Sequence, residues 1–126
     1  MRAPFPRTAR LRTPADFARL RGISRRVGGE TLRAEVAPAH GETAARLGLA
    51  VSRRVSKSAV RRNRIKRIAR DSFRRHRASL PPCDILLIAR PEADARSNAD
   101  LHRELERLWR RVAALNHAGG AGTMRA

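Results

Sequence analysis

The spacing of hydrophobic positions changes several times along this chain. Apolar and polar residues alternate over 31–36 and 46–52, which predicts two half-exposed strands. The run 84–90 is almost continuously apolar and predicts a central strand covered on both faces. Apolar residues at three- and four-residue spacing predict a long helix over 58–77 and a final helix that begins near Ser97.

Turn and capping residues indicate where the helices begin and end. Thr13-Pro14-Ala15-Asp16 has the form of a helix start, and we expect this first helix to end near Gly22. Ser58 is a candidate N-cap for the long helix, and Pro81-Pro82 would stop it. The predicted buried stripe of the long helix consists of Ile65, Ile68, Ala69, Ser72 and Phe73. That of the final helix consists of Leu101, Leu105, Leu108, Val112 and Leu115, with Trp109 beside it and expected to close the end of this helix on the sheet.

The predicted order of elements is helix, strand, strand, helix, strand, helix, with an optional extra strand in the region 37–57. This order predicts an α+β domain in which helices pack on a small mixed sheet. We expect residues 1–116 to form a single domain with a basic N-terminal arm. The glycine-rich end, 117–126, is expected to be a disordered tail.

Charge is concentrated in the long helix and the loop before it. From Arg53 to Arg77 there are twelve basic residues and a single acid, Asp71, and the whole chain has a formal net charge of +18. Self-repulsion on this scale is tolerable when a polyanion normally neutralises it. All the basic residues except Lys57 and Lys66 are arginines. Arginine forks two hydrogen bonds to one phosphate and stacks on bases, although genome composition can also favour it over lysine.

Within the long helix, basic residues recur about one turn apart. Arg62, Lys66, Arg70 and Arg74 form a ladder suited to a row of phosphates, and Asn63 offers a donor and an acceptor to a base edge or sugar hydroxyl. The alternative is a solvated charged face. Such faces normally mix signs, because like charges four residues apart destabilise a helix by a few tenths of a kcal/mol, on the order of 0.3 kcal/mol per pair.

Other classes of chemistry find little support. The eleven acids are scattered and the four histidines lack ligand spacing, so the sequence predicts neither catalytic residues nor a metal site. Cys83 is a lone cysteine and is interpreted as a core residue rather than a catalytic thiol. The apolar run 85–89 is too short to span a bilayer, and we expect a soluble cytoplasmic protein with no membrane partner. A membrane-surface helix is also disfavoured, because the apolar stripe is narrow and Trp109 lies outside the basic segment.

The segment Ala59-x-x-Arg62-Asn63-Arg64-Ile65-Lys66-Arg67-x-Ala69-Arg70 resembles the signature of the protein subunit of bacterial ribonuclease P. The resemblance covers about residues 5–115. Its further segments are Phe5-Pro6-Arg7 through Leu11-Arg12-Thr13-Pro14-x-x-Phe17, then 46–52, then 84–90, and then Leu105-x-x-Leu108-Trp109-Arg110-Arg111.

The resemblance implies a fold with a left-handed βαβ crossover around the basic helix, a fold class shared with a domain of a small-subunit ribosomal protein. It implies two partners, the catalytic RNA of ribonuclease P and precursor tRNA. The holoenzyme removes the 5′ leader by hydrolysing one phosphodiester. The chemistry would belong to the RNA subunit, which would also bind most of the Mg²⁺, so the protein would be an accessory subunit of an endoribonuclease.

The resemblance also assigns residues. It implies contacts with the RNA subunit at Arg62, Asn63, Arg64, Lys66, Arg67 and Arg70. We expect Arg53, Arg61 and Arg74, which belong to the same basic segment, to join them. The contacts with the leader would be Phe17, Arg21, Arg33, Gly48, Ala50 and Ser52. Many relatives carry a second aromatic residue four positions after the first, where this chain has Arg21. Many also carry an aromatic residue on the first predicted strand, where this chain has Leu32, Arg33 or Ala34. Leader binding is therefore expected to depend more on charge than on stacking.

The residues alone leave another function open. A structural RNA-binding protein of the ribosomal type would share the charge and a similar fold. Co-sedimentation with ribosomal subunits would favour that alternative, and restored leader removal on addition to the catalytic RNA would favour the ribonuclease P subunit.

Overall fold

The computed structural model describes residues 25–38 and 44–120 of the chain, with side chains as far as residue 115. These residues form four strands and two long helices, joined in part by short 3₁₀ turns at Arg77–Ser79 and Pro91–Ala95. The elements are β1 (Arg25–Gly28), β2 (Leu32–Pro38), β3 (Arg46–Ala50), α1 (Ala59–His76), β4 (Cys83–Ala89) and α2 (Asn98–Gly120).

The four strands make one mixed sheet in the order β1-β2-β4-β3. The β1–β2 and β2–β4 pairs are antiparallel, whereas β3 and β4 are parallel. Parallel neighbours need a crossover connection, and α1 supplies it. The predicted α+β class is confirmed. The left-handed sense of the crossover stays a prediction of the resemblance.

The three strands predicted from the sequence are present, and the additional strand has a different position. It lies at Arg25–Gly28, before the predicted ones, whereas the described part of 37–57 contains only the end of β2 and the strand Arg46–Ala50. Its sequence offers one apolar residue, Val27, and no alternation, so pairing with β2 is what makes it a strand. The first helix predicted over 13–22 and the N-terminal arm lie outside the described residues.

The two faces of β4 differ in burial. Cys83, Ile85 and Leu87 are buried in the core with the helices, whereas Leu86 and Ile88, which alternate with them, are only partly buried. The strand is central, as predicted, and its second face is covered only in part, since Asp84 is buried there while Leu86 and Ile88 keep some exposure. A continuous apolar run does not distinguish a buried face from one that stays partly open.

Helix α1 follows its predicted pattern closely. The Ser58 hydroxyl accepts a hydrogen bond from the backbone N–H of Arg61 at 3.3 Å and caps the helix. The buried residues are the five predicted ones, Ile65, Ile68, Ala69, Ser72 and Phe73. The apolar stripe thus holds the helix on the core and leaves its basic side outward.

Helix α2 packs against α1 through an aromatic contact. The rings of Trp109 and Phe73 meet edge to face with centroids 5.6 Å apart, and the Trp109 indole N–H donates to the Ser72 hydroxyl at 2.8 Å. Trp109 is therefore between the two helices, not at the helix end where the sequence analysis placed it. The predicted start is confirmed, since the Ser97 hydroxyl accepts from the N–H of Asp100 at 3.1 Å. The helix includes 117–120, which the sequence analysis assigned to a tail.

A buried carboxylate of α2 holds the turn between β1 and β2. Glu104 accepts three hydrogen bonds, from the backbone N–H of Thr31 at 2.7 Å, that of Leu32 at 2.8 Å and the Thr31 hydroxyl at 2.7 Å. Gly29 lies so close that a β carbon there would be 2.5 Å from Glu104 Oε2 and 2.9 Å from the Leu32 carbonyl oxygen. The turn thus requires a residue without a side chain at 29 and an acceptor at 104.

Replacing Glu104 by alanine should lower the free energy of unfolding by about 2–4 kcal/mol, because two backbone N–H groups and a hydroxyl would lose their buried acceptor. Urea unfolding followed by circular dichroism measures this loss. Glu106→Ala is the matched control, since Glu106 is two residues along the same helix and only partly buried. Equal unfolding midpoints for the two variants would contradict the role assigned to Glu104.

Candidate nucleic-acid interface

The side of α1 opposite its buried stripe is basic along its length. Residues 63, 67, 70 and 74 recur at three- and four-residue spacing and share that side, where the chain places Asn63 and three arginines. The first turn of the helix contains no acidic residue that would offset the positive end of its dipole. This arrangement is electrostatically unfavourable by itself and favours contact with an anion.

The side chains of four of the predicted RNA contacts have no hydrogen-bond partner among the residues that the structure describes. Arg53 is exposed in the turn after β3, Asn63 and Arg67 are exposed on the outer side of α1, and Lys66 is half-buried beside them. Their donors are available to a phosphate or a base. Arg70 is half-buried on the same side.

Two further predicted contacts point toward the other helix. Arg61 donates from Nε to the Asp94 carboxylate at 2.8 Å and from Nη2 to the Asp94 carbonyl at 3.0 Å. Arg64 donates to Asn98 Oδ1 at 2.6 Å and to the carbonyls of Asp94 and Arg96 at 3.2 and 3.1 Å. These arginines fasten the Pro91–Ala95 turn and the start of α2 to α1.

The remaining predicted residues of the helix also have partners inside the protein. Arg62 donates to the carbonyl of Ser56 at 2.9 Å, which ties the helix to the preceding loop. Arg74 and Arg75 both bind the carboxylate of Asp71, the single acid of this segment. The nine predicted residues therefore divide into outward-facing side chains and side chains that also hold the fold.

The sheet face away from the helices brings together most of the described leader-contact residues. Register places Arg33, Ile88 and Ala50 in one row across β2, β4 and β3. The next row contains Glu35, Leu86 and Gly48. We call these six residues the open sheet face. Sequence reasoning missed three of them as leader contacts, namely Glu35, Leu86 and Ile88. Glu35 could have been found, because it alternates with buried residues along β2. Leu86 and Ile88 lie in a continuous apolar run, which gives no such signal.

The other predicted leader contacts do not lie on these strands. Ser52 comes after the end of β3, in a turn where its carbonyl accepts from the N–H of Val55 at 3.0 Å. Phe17 and Arg21 lie outside the described residues.

Charge on the open sheet face is arranged around Glu35. Its carboxylate is 3.5 Å from Nη2 of Arg33 and 3.7 Å from Nη2 of Arg26. The Nε of Arg33 is buried and has no hydrogen-bond partner. An unpaired buried donor is costly, so Arg33 favours an acceptor group brought by a ligand.

A buried ion pair lies one row further along the same face. Asp84 is fully buried, and Arg46 donates to both of its carboxylate oxygens at 2.9 Å. The pair joins β4 to β3 at the start of their parallel register. It anchors the edge strand that carries Gly48 and Ala50.

The described residues offer little for catalysis by side chains. Residues 25–38 and 44–115 contain no group of three or more His, Cys, Asp or Glu side chains that could hold a metal ion. Burial raises the pKa of the Cys83 thiol to about 12, which keeps it protonated at neutral pH. No helix in the described part is both long and apolar enough to cross a membrane.

The fold and its charged surfaces define a small basic α+β protein suited to binding nucleic acid. The family model described as Ribonuclease P matches residues 5–113. The chain therefore belongs to the family of bacterial ribonuclease P protein subunits.

Relatives and solved structures agree with this assignment. The ribonuclease P protein component of Thioalkalivibrio sulfidiphilus is 38% identical over 108 residues, which cover 86% of this chain and 89% of the relative. The ribonuclease P protein component of Xanthomonas campestris pv. campestris is 40% identical over 120 residues, which cover 95% of this chain and 80% of the relative. The fold matches the RNase P protein of Staphylococcus aureus with a TM-score of 0.73 at 30% identity, covering 79% of this chain and 91% of that one. The fold also matches the RNase P protein of Thermotoga maritima, with a TM-score of 0.71 at 29% identity, covering 81% of this chain and 96% of that one.

Replacing Arg64 by alanine should lower the free energy of unfolding by about 1–3 kcal/mol, because Asn98 Oδ1 and the Arg96 carbonyl would lose this donor and the Asp94 carbonyl would keep only Arg61. Arg64→Lys should also destabilise the fold, since one ammonium cannot reproduce the planar guanidinium fork. Arg67→Ala is the control and should change stability by no more than about 0.5 kcal/mol. Urea midpoints that are the same for Arg64→Ala and Arg67→Ala would show that Arg64 does not fasten the helices.

Proposed function

We propose that this ribonuclease P protein binds the catalytic RNA through the outer side of α1 and the 5′ leader of precursor tRNA through the open sheet face. In this role it assists the removal of the leader by hydrolysis of one phosphodiester, which leaves a 5′-phosphate on the mature tRNA. The observation that carries the proposal is the outer side of α1, where basic side chains greatly outnumber the one acid of the helix, Asp71, and which a fully buried apolar stripe holds outward.

Contact with the catalytic RNA is supported by side-chain donors without internal partners on α1 and in the turn before it. These are the side chains of Arg53, Asn63, Lys66 and Arg67, which have no hydrogen-bond partner in the described part of the chain, so binding to phosphate would cost them no internal side-chain contact. The charge is almost all arginine, which matches the geometry of phosphate oxygens. Arg61 and Arg64 support the surface indirectly, because they fix the helix on which the other residues lie.

Contact with the leader is supported by the shape and charge of the open sheet face. Gly48 and Ala50 are small, so a single strand can approach the backbone of β3 closely. Leu86 and Ile88 offer apolar surface for a sugar or base, and Arg33 has an unpaired Nε for a phosphate. Within the described residues this face has no aromatic side chain, which favours binding by charge and apolar contact over stacking.

The chemistry of cleavage is proposed to belong to the RNA subunit and to the Mg²⁺ that it binds. Magnesium would supply charge stabilisation and an activated water at the scissile phosphate. The part of the protein that the structure describes contains no ligand cluster for such an ion. Its basic side chains would instead neutralise phosphate charge where catalytic RNA and leader meet, which lets the complex form at lower Mg²⁺ concentration. In this role the protein would act in the cytoplasm, where precursor tRNA is processed.

Reconstitution tests the proposal. Added to the catalytic RNA of its own genome at a Mg²⁺ concentration too low for the RNA alone, the protein should restore removal of the leader from 5′-labelled precursor tRNA. The protein without RNA should leave the precursor intact. Failure to stimulate cleavage at any salt concentration, together with co-sedimentation with ribosomal subunits, would instead favour a structural RNA-binding protein.

The phosphate contacts should appear in the salt dependence of RNA binding. If the outer side of α1 makes six or more contacts, the affinity should fall on the order of a thousandfold between about 50 and about 200 mM salt. Replacing Lys66 or Arg67 by alanine should reduce the slope of log affinity against log salt by about one.

The control for these slopes is Arg110→Ala. It removes the same charge from an exposed residue of α2. It should leave the slope unchanged, because α2 is outside the proposed RNA contact. A slope that falls equally for Arg67→Ala and Arg110→Ala would mean that the RNA responds to net charge and not to the side of α1.

A further inference from the structure

One apolar residue lies exposed within the basic surface. Val60, in the first turn of α1, exposes 79% of its surface and is the single exposed large hydrophobic residue in the described part of the chain. Every other large apolar residue of α1 belongs to its buried stripe. Val60 thus lies outside the packing that holds the helix on the core.

The fold gains nothing evident from a valine at this position. Val60 is absent from the hydrophobic core and from the partly buried side chains that pack against it. A β-branched residue also forms helix less readily than alanine, by about 0.5 kcal/mol. Isolated exposed apolar residues are common on protein surfaces, so exposure alone assigns no role.

The neighbours of Val60 give its position a meaning. Asn63 and Arg67 follow at three and seven residues, so all three share the outer side of the helix. Asn63 and Arg67 have no hydrogen-bond partner among the described residues. The β carbons of residues three apart on a helix are separated by about 5–6 Å, a distance that one nucleobase can bridge.

We infer that Val60 and Asn63 form a subsite for one unpaired nucleobase of the catalytic RNA. The methyl groups of Val60 would contact the face of the base, and the amide of Asn63 would exchange hydrogen bonds with its edge. Arg67, one turn beyond Asn63, would bind the adjoining phosphate. The inference rests on the proposed function, because it places a base within the surface assigned to the RNA subunit.

The subsite has a signature that a phosphate contact lacks. An apolar contact releases no counterions, so its loss should lower RNA affinity by the same factor at every salt concentration and leave the slope unchanged. Val60→Thr keeps the shape of the side chain and introduces a hydroxyl. It should weaken binding to the catalytic RNA by about three- to tenfold, whereas Val60→Ile should retain wild-type affinity.

Two matched comparisons separate this effect from charge and from stability. Arg67→Ala should reduce the salt slope, and Val60→Thr should not. Thermal unfolding of the Val60 variants should match that of the wild type, because Val60 is mostly exposed and lies outside the core cluster. In an Asn63→Ala background the effect of Val60→Thr should shrink, because both residues would act on the same base.

Chemical probing of the catalytic RNA would locate the base. Dimethyl sulfate and a carbodiimide reagent together report on the edges of all four bases. The wild type and Arg67→Ala should protect one unpaired base that becomes reactive with Asn63→Ala and with Val60→Thr. An unchanged affinity and probing pattern for Val60→Thr would overturn the subsite and leave the proposed function intact. Absence of RNA binding by the wild type would overturn both.

Discussion

Burial of one narrow apolar stripe of α1 is the interaction on which the rest of the structure depends. The stripe packs on the core although the outward side chains of the helix repel one another. In this contact Phe73 packs against Trp109, and the Ser72 hydroxyl accepts a hydrogen bond from the Trp109 indole N–H. Repulsion among the arginines opposes helix formation, and tertiary packing supplies what the isolated segment lacks. The same contact decides which side chains face outward. The core contact and the basic surface proposed to bind RNA are thus two sides of one helix.

Much of this architecture follows from periodicity. The five buried residues of α1, the Ser58 and Ser97 caps and the three longer strands were predictable, because each rests on local spacing and capping chemistry. β1 was not, since Arg25–Gly28 becomes a strand only by pairing with β2. The position of Trp109 between the helices could likewise not be predicted from residue spacing, because an apolar stripe shows which side of a helix is buried but not which element packs against it.

The site was predictable in composition and less so in detail. The spacing of Arg62, Lys66, Arg70 and Arg74 indicated a phosphate ladder, but the sequence does not show that Arg61 and Arg64 bind Asp94 and nearby carbonyls. Those contacts join residues about thirty positions apart, and a basic residue gives no sign of which acceptor it will find. The open sheet face was recognised through its small residues, whereas Leu86 and Ile88 were hidden in a run that resembled a fully buried strand.

The contact between Glu104 and the turn at Thr31 spans 73 residues of sequence. It can form only when α2 has been synthesised and has left the ribosome, so until then the turn between β1 and β2 lacks its buried acceptor. Until then the nascent chain exposes a basic segment beside a ribosome that is itself largely RNA. Completion of this turn is therefore a late event in the synthesis of this protein.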